Sequence, residues 1–592
     1  MMLVLGVFAE GPNPAAALLA NGELVAFCEE ERFTRIKTAP NSYPLEASRF
    51  CLDSANARPS DIAVVSFGWN ATKYDIPKGH QTSPMGNFYQ SLSSRFDKDV
   101  QTIESEQRIL ERFQSAEIRK KLLKMLNVID PAHCFRGRFN FVEHHMAHAA
   151  SAYFLSGFDD AAVLTMDGSG EEICIAFWIG KSGMLQRRQY MTIPQSLGWF
   201  YSSFCEYLGF IPNQQEGKLM ALAAYGQPNE KILTVINRAC KQNVKSNSFD
   251  LDPTYIWYGE HNWGTRFTDK LVRELGEPRR VGEVYTKDDA DIAYAVQNKL
   301  ENVVMSLVRK WMPKSGVRNL CLAGGVCLNC KLNGHLAACQ KEGIIEKLFI
   351  QPVSSDAGTA LGAGLLASAQ SGIDPRFEMT NPYWGPEYSD ATIRKTIRGC
   401  GLKTENVNVA AEAAKLIKNG AILGLFQGRS EAGPRSLGNR SILADPRNPL
   451  SPRRVNSKVK DRESWRPFAP SILRNSEHRY FNDYETAPFM IRSFVVRNEV
   501  RRLIPAVVHV DGSTRPQSVC FQDNPFFFEL IKQFDELAGV PILLNTSFNG
   551  PGQPIVNSPE EAIRLYLDSD LDALILGRHL IVKPQTALTP HI

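Results

Sequence analysis

Short apolar runs recur along the chain, and several of them stop at glycine-rich turns. Leu3–Phe8, Ala161–Met166 and Asn319–Leu322 are each of strand length. The second runs into Asp167-Gly-Ser-Gly and the third into Ala323-Gly-Gly-Val-Cys-Leu-Asn329, with helical periodicity beyond. Lys347–Ile350 is a further strand, ahead of the small-residue helix in SSDAGTALGAG. Strand, turn and helix alternating in this way predict an α/β fold class. The stretch of about 75–127 breaks the pattern. It is polar, and RILERFQSAEIRKKLLKML repeats with a helical period, which predicts a helical insertion. Such an insertion serves as a lid or partner surface or, in the more ordinary reading, as a solvated helix pair. Ser368–Tyr388, rich in Pro, Gly and Ser, marks the main boundary and sets the domains at 1–375 and 390–592. Beyond it the pattern predicts a helix over Ala410–Lys418 and a strand over Ala421–Gln427. No internal repeat or low-complexity tract is visible.

Composition narrows the class. A chain of 592 residues exceeds one ordinary core, and 43% hydrophobic with 22% charged residues is a globular balance. The net charge of +4, from 67 basic and 63 acidic residues, gives no global field for nucleic acid, so anion binding must come from local clusters. The longest apolar runs, such as Ala421–Phe426 and Ala573–Leu576, are far short of a bilayer span. The N-terminus MMLVLGVFAEGP lacks a basic flank and a small-residue cleavage site, and reads as a first core strand. The twelve cysteines have no framework spacing, and Cys28, Cys174, Cys205 and Cys321 sit among apolar neighbours as reduced core residues do. Cys327 and Cys330 form a CxxC without a second pair and read as a buried helix start. A cytoplasmic protein, monomeric or homodimeric, is expected, with no membrane and no nucleic-acid partner.

Two constellations carry chemistry. In EHHMAHAASAY, His144 and His148 stand one helical turn apart on one face, while His145 points elsewhere. Asp167 ends a strand and opens a glycine turn, and Asp356 likewise lies between a strand and a helix. Carboxylates there face the crevice in which α/β sheets bind ligands. Two histidines and two aspartates suit a divalent ion, with Fe2+ favoured over Mn2+ and Zn2+. Gly324, Gly325 and Asn329 form a strand–glycine–helix turn where backbone can approach a nucleotide, although a pair of glycines after a strand is as often only a tight turn.

The second constellation lies in the C-terminal part: Gly428–Pro446, Lys460–Pro470, His509–Gln517 and Leu543–Asn549. Arg435, Arg440, Lys460, Arg462, Arg466 and Arg515 stand beside glycine, proline and small residues rather than on amphipathic helices. The planar fork of arginine matches phosphate and carboxylate oxygens, and nearby glycines free amides to join in. Pairing with Glu431, Asp445, Asp461, Glu463 and Asp511 is the competing explanation, but exposed ion pairs give little reason to put arginine on rigid turns. A polyanion pocket is the favoured reading.

These segments resemble the NodU/CmcH-type carbamoyltransferases, which decorate antibiotics, toxins and signalling sugars. The resemblance rests on FCEEERFTRIK (Phe27–Lys37), EHHMAHAASAY, SLGWFYSSF, EGKLMALAAYG, LAGGVCLNCKLNG, SSDAGTALG, GPRSLGNRSILADPR, RPFAPSIL and NTSFN, in that order, and covers nearly all of the chain outside Asp75–Asn127. It implies an N-terminal duplicated α/β domain of the actin-like ATPase (ASKHA) fold and a C-terminal YrdC-like α/β domain. It further implies that Arg435, Arg466, Arg515, Asn545 and Ser547, with Lys460 and Arg462, hold carbamoyl phosphate and ATP with Mg2+, Arg35 and Lys37 joining the binding residues. Carbamoyladenylate made there moves to the first domain, where His144, His148, Asp167 and Asp356 hold the metal and a small-molecule acceptor takes the carbamoyl group. The chain departs from the family in carrying Pro12-Asn13 where His-Asp is usual, and Gln215 where aspartate is common. Glu10 or Glu216 then becomes the candidate base, or the acceptor is an amine. A macromolecular acceptor and a non-catalytic nucleotide-binding partner are the alternatives.

Overall fold

The computed structural model describes residues 1–583 apart from 96–99, 244, 246 and 257–264. The chain divides into two units, one of residues 1–34 and 38–379, the other of residues 35–37 and 380–592. The division falls inside the segment rich in Pro, Gly and Ser. Residues 96–99 of the expected insertion, and 584–592 of the expected second domain, lie outside the described residues.

The first unit contains two five-stranded sheets of the same topology. In the first, β1 (Leu3–Phe8), β2 (Ala15–Ala20) and β3 (Glu23–Glu29) form an antiparallel meander, and β4 (Ile62–Phe67) and β5 (Arg138–Phe141) continue parallel to β1, in the order β3-β2-β1-β4-β5. In the second, β6 (Asp160–Met166), β7 (Ile173–Lys181) and β8 (Met184–Thr192) form the meander. A separate hairpin of β9 (Cys240–Asn243) and β10 (Ser248–Leu251) follows, and then β11 (Leu320–Ala323) and β12 (Leu348–Ile350) run parallel to β6. The order β12-β11-β6-β7-β8 repeats the first sheet strand for strand. The unit is a duplicated α/β fold, although no repeat shows in the sequence.

Each copy ends in a helix that lies on the other copy's sheet. His144–Tyr153 follows β5 and packs on β6, β7 and β11; Ala357–Gln370 follows β12 and packs on β1, β2 and β4; the two helices also pack on one another. Only small side chains permit so close an approach. A Cβ on Gly362 would fall 1.8 Å from the carbonyl oxygen of Ala147, and one on Gly6 would fall 2.0 Å from that of Ala360. The run AGTALGAGLLAS is buried throughout for this reason.

The region expected as an insertion holds three helices, Pro84–Ser93, Val100–Arg112 and Ser115–Ile129. The last is not a solvated helix. Its stripe of Ile118, Leu122, Met125 and Leu126 is buried in the same core as Leu5, Val65 and Phe67. The helical period was legible, but which of its faces would be covered depended on the sheet beneath.

In the second unit a seven-stranded mixed sheet runs β18-β15-β19-β14-β13-β20-β21. Its strands are β13 (Leu423–Phe426), β14 (Arg440–Ala444), β15 (Ala469–Leu473), β18 (Gln517–Val519), β19 (Ile542–Ser547), β20 (Ala573–Leu576) and β21 (His579–Val582), and the short pair β16 (Phe494–Val495) and β17 (Ser513–Thr514) stands apart. Alternate residues face opposite cores. Leu423, Leu425 and Leu543 meet the helices Val409–Lys418 and Pro525–Ala538, whereas Phe426, Ile542 and Leu544 meet Asp390–Gly399 and Pro559–Asp568. The cysteines are free, and among the described residues no helix is long and apolar enough to cross a membrane.

Candidate active site and metal centre

The crossing of the two terminal helices brings four side chains of the first unit together. His144 and His148 occupy the first turns of one helix, Asp167 directly follows β6, and Asp356 stands at the N-terminus of the other helix. One ligand atom from each lies within 4.8 Å of all the others. His148 Nε2 is 3.0 Å from Asp167 Oδ2 and 3.1 Å from His144 Nε2, and His144 Nε2 is 3.7 Å from Asp356 Oδ1.

The tautomer of His144 is set by backbone. Its Nδ1–H donates to the Gly68 carbonyl at 3.1 Å, so Nε2 presents a lone pair to the cluster. Burial, then His148, pushes His144 down to about 3 and keeps it neutral. Burial disfavours the charge on Asp167, but the hydrogen bond from His148 and the two imidazoles outweigh it and hold the carboxyl below its usual range. Burial and the charge of Asp167 raise Asp356 well above that range. Two imidazoles whose ring nitrogens converge on two carboxylates form the donor set of a divalent cation, and His148 Nδ1 is buried without a hydrogen-bond partner. His145 points away, toward Thr165 Oγ1 at 2.8 Å.

Backbone holds Asp167 from two sides. Gly325 N–H donates to Oδ2 at 3.0 Å and Gly168 N–H to Oδ1 at 2.7 Å. Gly324 has φ +94°, and a Cβ there would fall 2.2 Å from the Met166 carbonyl oxygen, so only glycine fits. Gly324 and Gly325 thus stand beside the cluster. Asn329 is committed within the fold: it caps the helix Cys330–His335 and hydrogen-bonds Gln297 at 2.9 and 3.0 Å. The helix Leu197–Tyr207 is pressed on the same aspartate turn, with the Ser196 hydroxyl donating to the Asp167 carbonyl at 3.1 Å.

The loop after β1 borders the cluster: a Cβ on Gly11 would lie 3.5 Å from Asp356 Oδ2. Phe8 and Trp69 line the other side of His144, at centroid distances of 5.7 and 4.9 Å. Both oxygens of Glu10 are taken, one by Arg112 and one by Lys121 at 2.5 Å, and its φ is +68°. Glu216 is half-buried at the start of a helix, accepts from Asn213 N–H at 2.6 Å and Ser202 Oγ–H at 2.9 Å, and is raised by its removal from water. Gly11, Gly68 and Trp69 were not anticipated. Gly68 follows β4 in SFGWN, and a glycine closing a buried strand was the available signal.

In the second unit, cations gather at the end of β19. Lys460 is buried, with its ammonium among the Ser547 carbonyl, Ser547 Oγ (3.2 Å), the Asn549 carbonyl (3.0 Å) and Asn549 Oδ1 (2.8 Å). Burial, then Arg462, Arg466 and Lys37, hold it well below the ordinary lysine value. Arg462 is likewise pushed down to about 9, first by burial and then by Arg466, with Arg515 adding to it. Lys37, Lys460, Arg462, Arg466 and Arg515 therefore share one positive field, which Glu463 moderates. Asn545 is buried beside them on β19. Its Nδ2 donates to Ser471 Oγ at 2.9 Å and to the Ser436 carbonyl, next to Arg435, at 3.2 Å, while its Oδ1 has no hydrogen-bond partner.

Two arginines serve as struts. Arg440 is fully buried and donates to the carbonyls of Gln427, Gly428, Asn439 and Pro386, with its guanidinium 3.7 Å from the Phe426 ring centroid. It does not join the cation field, because a strand residue of β14 points into the sheet's own packing. Arg35 donates to the Pro554 and Ile555 carbonyls and pairs with Glu561 at 3.2 Å. Glu431 does not pair with an arginine side chain among its described contacts; it accepts the backbone N–H groups of Leu437, Asn439 and Arg440 and knits their loop.

The chain is similar to known proteins along nearly its whole length. A family model described as carbamoyltransferase N-terminus matches residues 4–365, and one described as carbamoyltransferase C-terminus matches residues 414–583. The chain is 35% identical to nodulation protein NolNO of Sinorhizobium fredii, over 96% of this chain and 78% of that protein. It is 34% identical to an uncharacterised protein of Synechocystis, over 98% and 97% of the two chains. Among solved structures, component A of the Acidaminococcus fermentans (R)-2-hydroxyglutaryl-CoA dehydratase overlaps 63% of this chain and all of that one, at 13% identity and a TM-score of 0.34. The two matched segments span both units, and the chain belongs to the carbamoyltransferase family.

Proposed function

We propose that the second unit makes carbamoyladenylate from carbamoyl phosphate and ATP, and that the first unit transfers the carbamoyl group to a hydroxyl, or an amine, of a small molecule. The observation that carries this reading is the cation field around Lys460. Like charges drawn together away from water are costly unless an anion joins them, and buried Lys460 with half-buried Lys37, Arg462, Arg466 and Arg515 is suited to phosphorylated ligands. Water cleaves carbamoyl phosphate to carbamate and phosphate. The carbamate oxygen then attacks the α-phosphorus of ATP and pyrophosphate leaves. Arg435, Arg466 and Arg515 hold the phosphoryl groups, while the Asn545 and Ser547 side chains orient the carbamate.

At the first unit the acceptor oxygen or nitrogen bonds the carbamoyl carbon, the C–O bond to AMP breaks, and the acceptor's proton must go to a base. Glu216 is favoured over Glu10 for that proton, since both oxygens of Glu10 are ion-paired. His144, His148, Asp167 and Asp356 would hold a divalent ion, Fe2+, Mn2+ or Zn2+, which when bound polarises the carbamoyl group and offsets the charge of departing AMP. The Glu10–Asn13 loop, beside Asp356, lies where an acceptor would approach.

Incubating the full chain with ATP, with and without carbamoyl phosphate, tests this. AMP and pyrophosphate are expected only when both substrates are present, and Arg466→Ala is expected to lose about 10- to 150-fold, the equivalent of one charge-assisted contact. Release of ADP instead sinks the adenylate route.

A further inference from the structure

The turn that carries Asp167 continues through Gly168-Ser169-Gly170 to Glu171 and Glu172 before β7 begins. Glu171 is buried, 2% exposed. Its Oε1 accepts the Asn70 N–H at 2.5 Å, and its two oxygens accept the His144 N–H at 3.3 and 3.4 Å. The residue preceding that helix, Glu143, makes no side-chain capping bond, so Glu171, distant in sequence, satisfies the amide of the helix's first residue. Asn70 belongs to the loop after β4, which also supplies the Gly68 carbonyl that fixes the His144 tautomer and the Trp69 ring against the imidazole. One carboxylate therefore joins three segments: the turn bearing Asp167, the helix bearing His144 and His148, and the loop that orients His144. Lys73 and Glu172, paired at 2.6 Å, tie the loop to the turn a second time. The packing leaves little slack, since a Cβ on Gly170 would lie 3.0 Å from His144 Cβ.

We infer that Glu171 is a positioning residue for the metal centre: it fixes the spacing between His144 and Asp167, and the orientation of the His144 ring, without itself being a ligand. The inference rests on the reading of His144, His148, Asp167 and Asp356 as metal ligands. A glutamine at 171 keeps the volume but turns an NH2 group or a weaker acceptor toward two N–H donors. One or both contacts are lost and the His144 segment is freed from the Asp167 turn.

The test titrates Mn2+, and separately Zn2+, into the metal-stripped full chain by calorimetry, for wild type, Glu171→Gln and Glu171→Asp. Thermal midpoints are read with and without the ion. Partners that orient metal ligands typically contribute about 10- to 100-fold in affinity, so Glu171→Gln is expected to weaken binding by that factor and Glu171→Asp by less. The rise in midpoint on adding the ion is expected to shrink in step. A purely structural role predicts the opposite pattern, a lower metal-free midpoint with an unchanged dissociation constant, and that result overturns the proposal. Should Glu171→Gln not fold, Glu171→Asp decides: a dissociation constant equal to wild type overturns it. If wild type binds neither ion, the four-ligand reading fails and this proposal fails with it, an outcome distinct from tight binding by wild type and variant alike.

Discussion

Glu10 is a buried carboxylate and Glu216 a half-buried one, each near the start of a turn or helix, yet their surroundings give them different chemistry. Glu10 is compensated by Arg112 and Lys121, whereas Glu216 is raised by burial and is held by one amide and one hydroxyl. A carboxyl raised in the folded state binds its proton more tightly there than in the unfolded chain. Its ionised form then costs stability above the usual carboxylate range, and the cost disappears as pH falls. Glu216→Gln is therefore expected to unfold at a temperature equal to or above that of wild type at pH 8, with the difference closing toward pH 5. Carbamoyl transfer should nevertheless fall about 10²-fold or more while pyrophosphate release is spared. Unchanged transfer in this variant removes Glu216 as the base. Lys460 has the opposite sign of charge. Its folded value lies well below the ordinary lysine value, so between the two the unfolded chain carries the extra proton and stability rises with pH. An anion on the cluster offsets the depression, so pyrophosphate binding should take up protons at pH values between the depressed and the ordinary lysine value. Calorimetry in buffers of different ionisation enthalpy reads this directly, and Lys460→Met should abolish it.

At the scale of elements, the strands that end at the centre were legible because they are buried runs closed by glycine, as in β1 and β6. His144 and His148 were legible through helical spacing, and Asp167 and Asp356 through their place after a strand. The supports were not. Gly68 and Gly325 show in the sequence as glycines that follow strands, but the pattern does not tell that one acts through its carbonyl and the other through its amide, nor that Glu171 reaches across the fold. Arg440 was grouped with the anion binders because composition cannot separate an arginine facing a ligand from one facing four carbonyls. The crossing of His144–Tyr153 and Ala357–Gln370 gives the element-level prediction. Gly362→Ala would place a methyl on the Ala147 carbonyl, where backbone must shift. Overpacking of this kind costs about 1–3 kcal/mol. Denaturant unfolding should report that loss, and Mn2+ affinity should fall with it, because the same helices carry His144, His148 and Asp356.

At the scale of the whole molecule, the two candidate sites belong to different units. His148→Ala and Asp167→Asn are accordingly expected to strip the ion and abolish transfer while leaving pyrophosphate release from ATP and carbamoyl phosphate at the wild-type rate. A parallel loss of both steps would show that the metal centre serves activation as well. The α/β class and the helical segment were readable from periodicity, but the duplication within the first unit was not. Its two copies share strand order rather than residues: β2 is AAALLA and buried, while its counterpart β7 is ICIAFWIGK, and the third strand of the second copy, MLQRRQYMT, is largely solvent-facing.

That shared strand order bears on how the centre is divided between the two copies. The turn after β1, with Glu10, is the counterpart of the turn after β6, with Asp167; the helix that opens at His144 is the counterpart of the one that Asp356 precedes. Two equivalent copies could have kept two equivalent sites or none. Instead one copy supplies both imidazoles and the other both carboxylates. Within one chain the two copies need not stay alike, and each here holds a different half of one donor set. Neither copy alone carries that set, so the centre exists only where both are folded against one another.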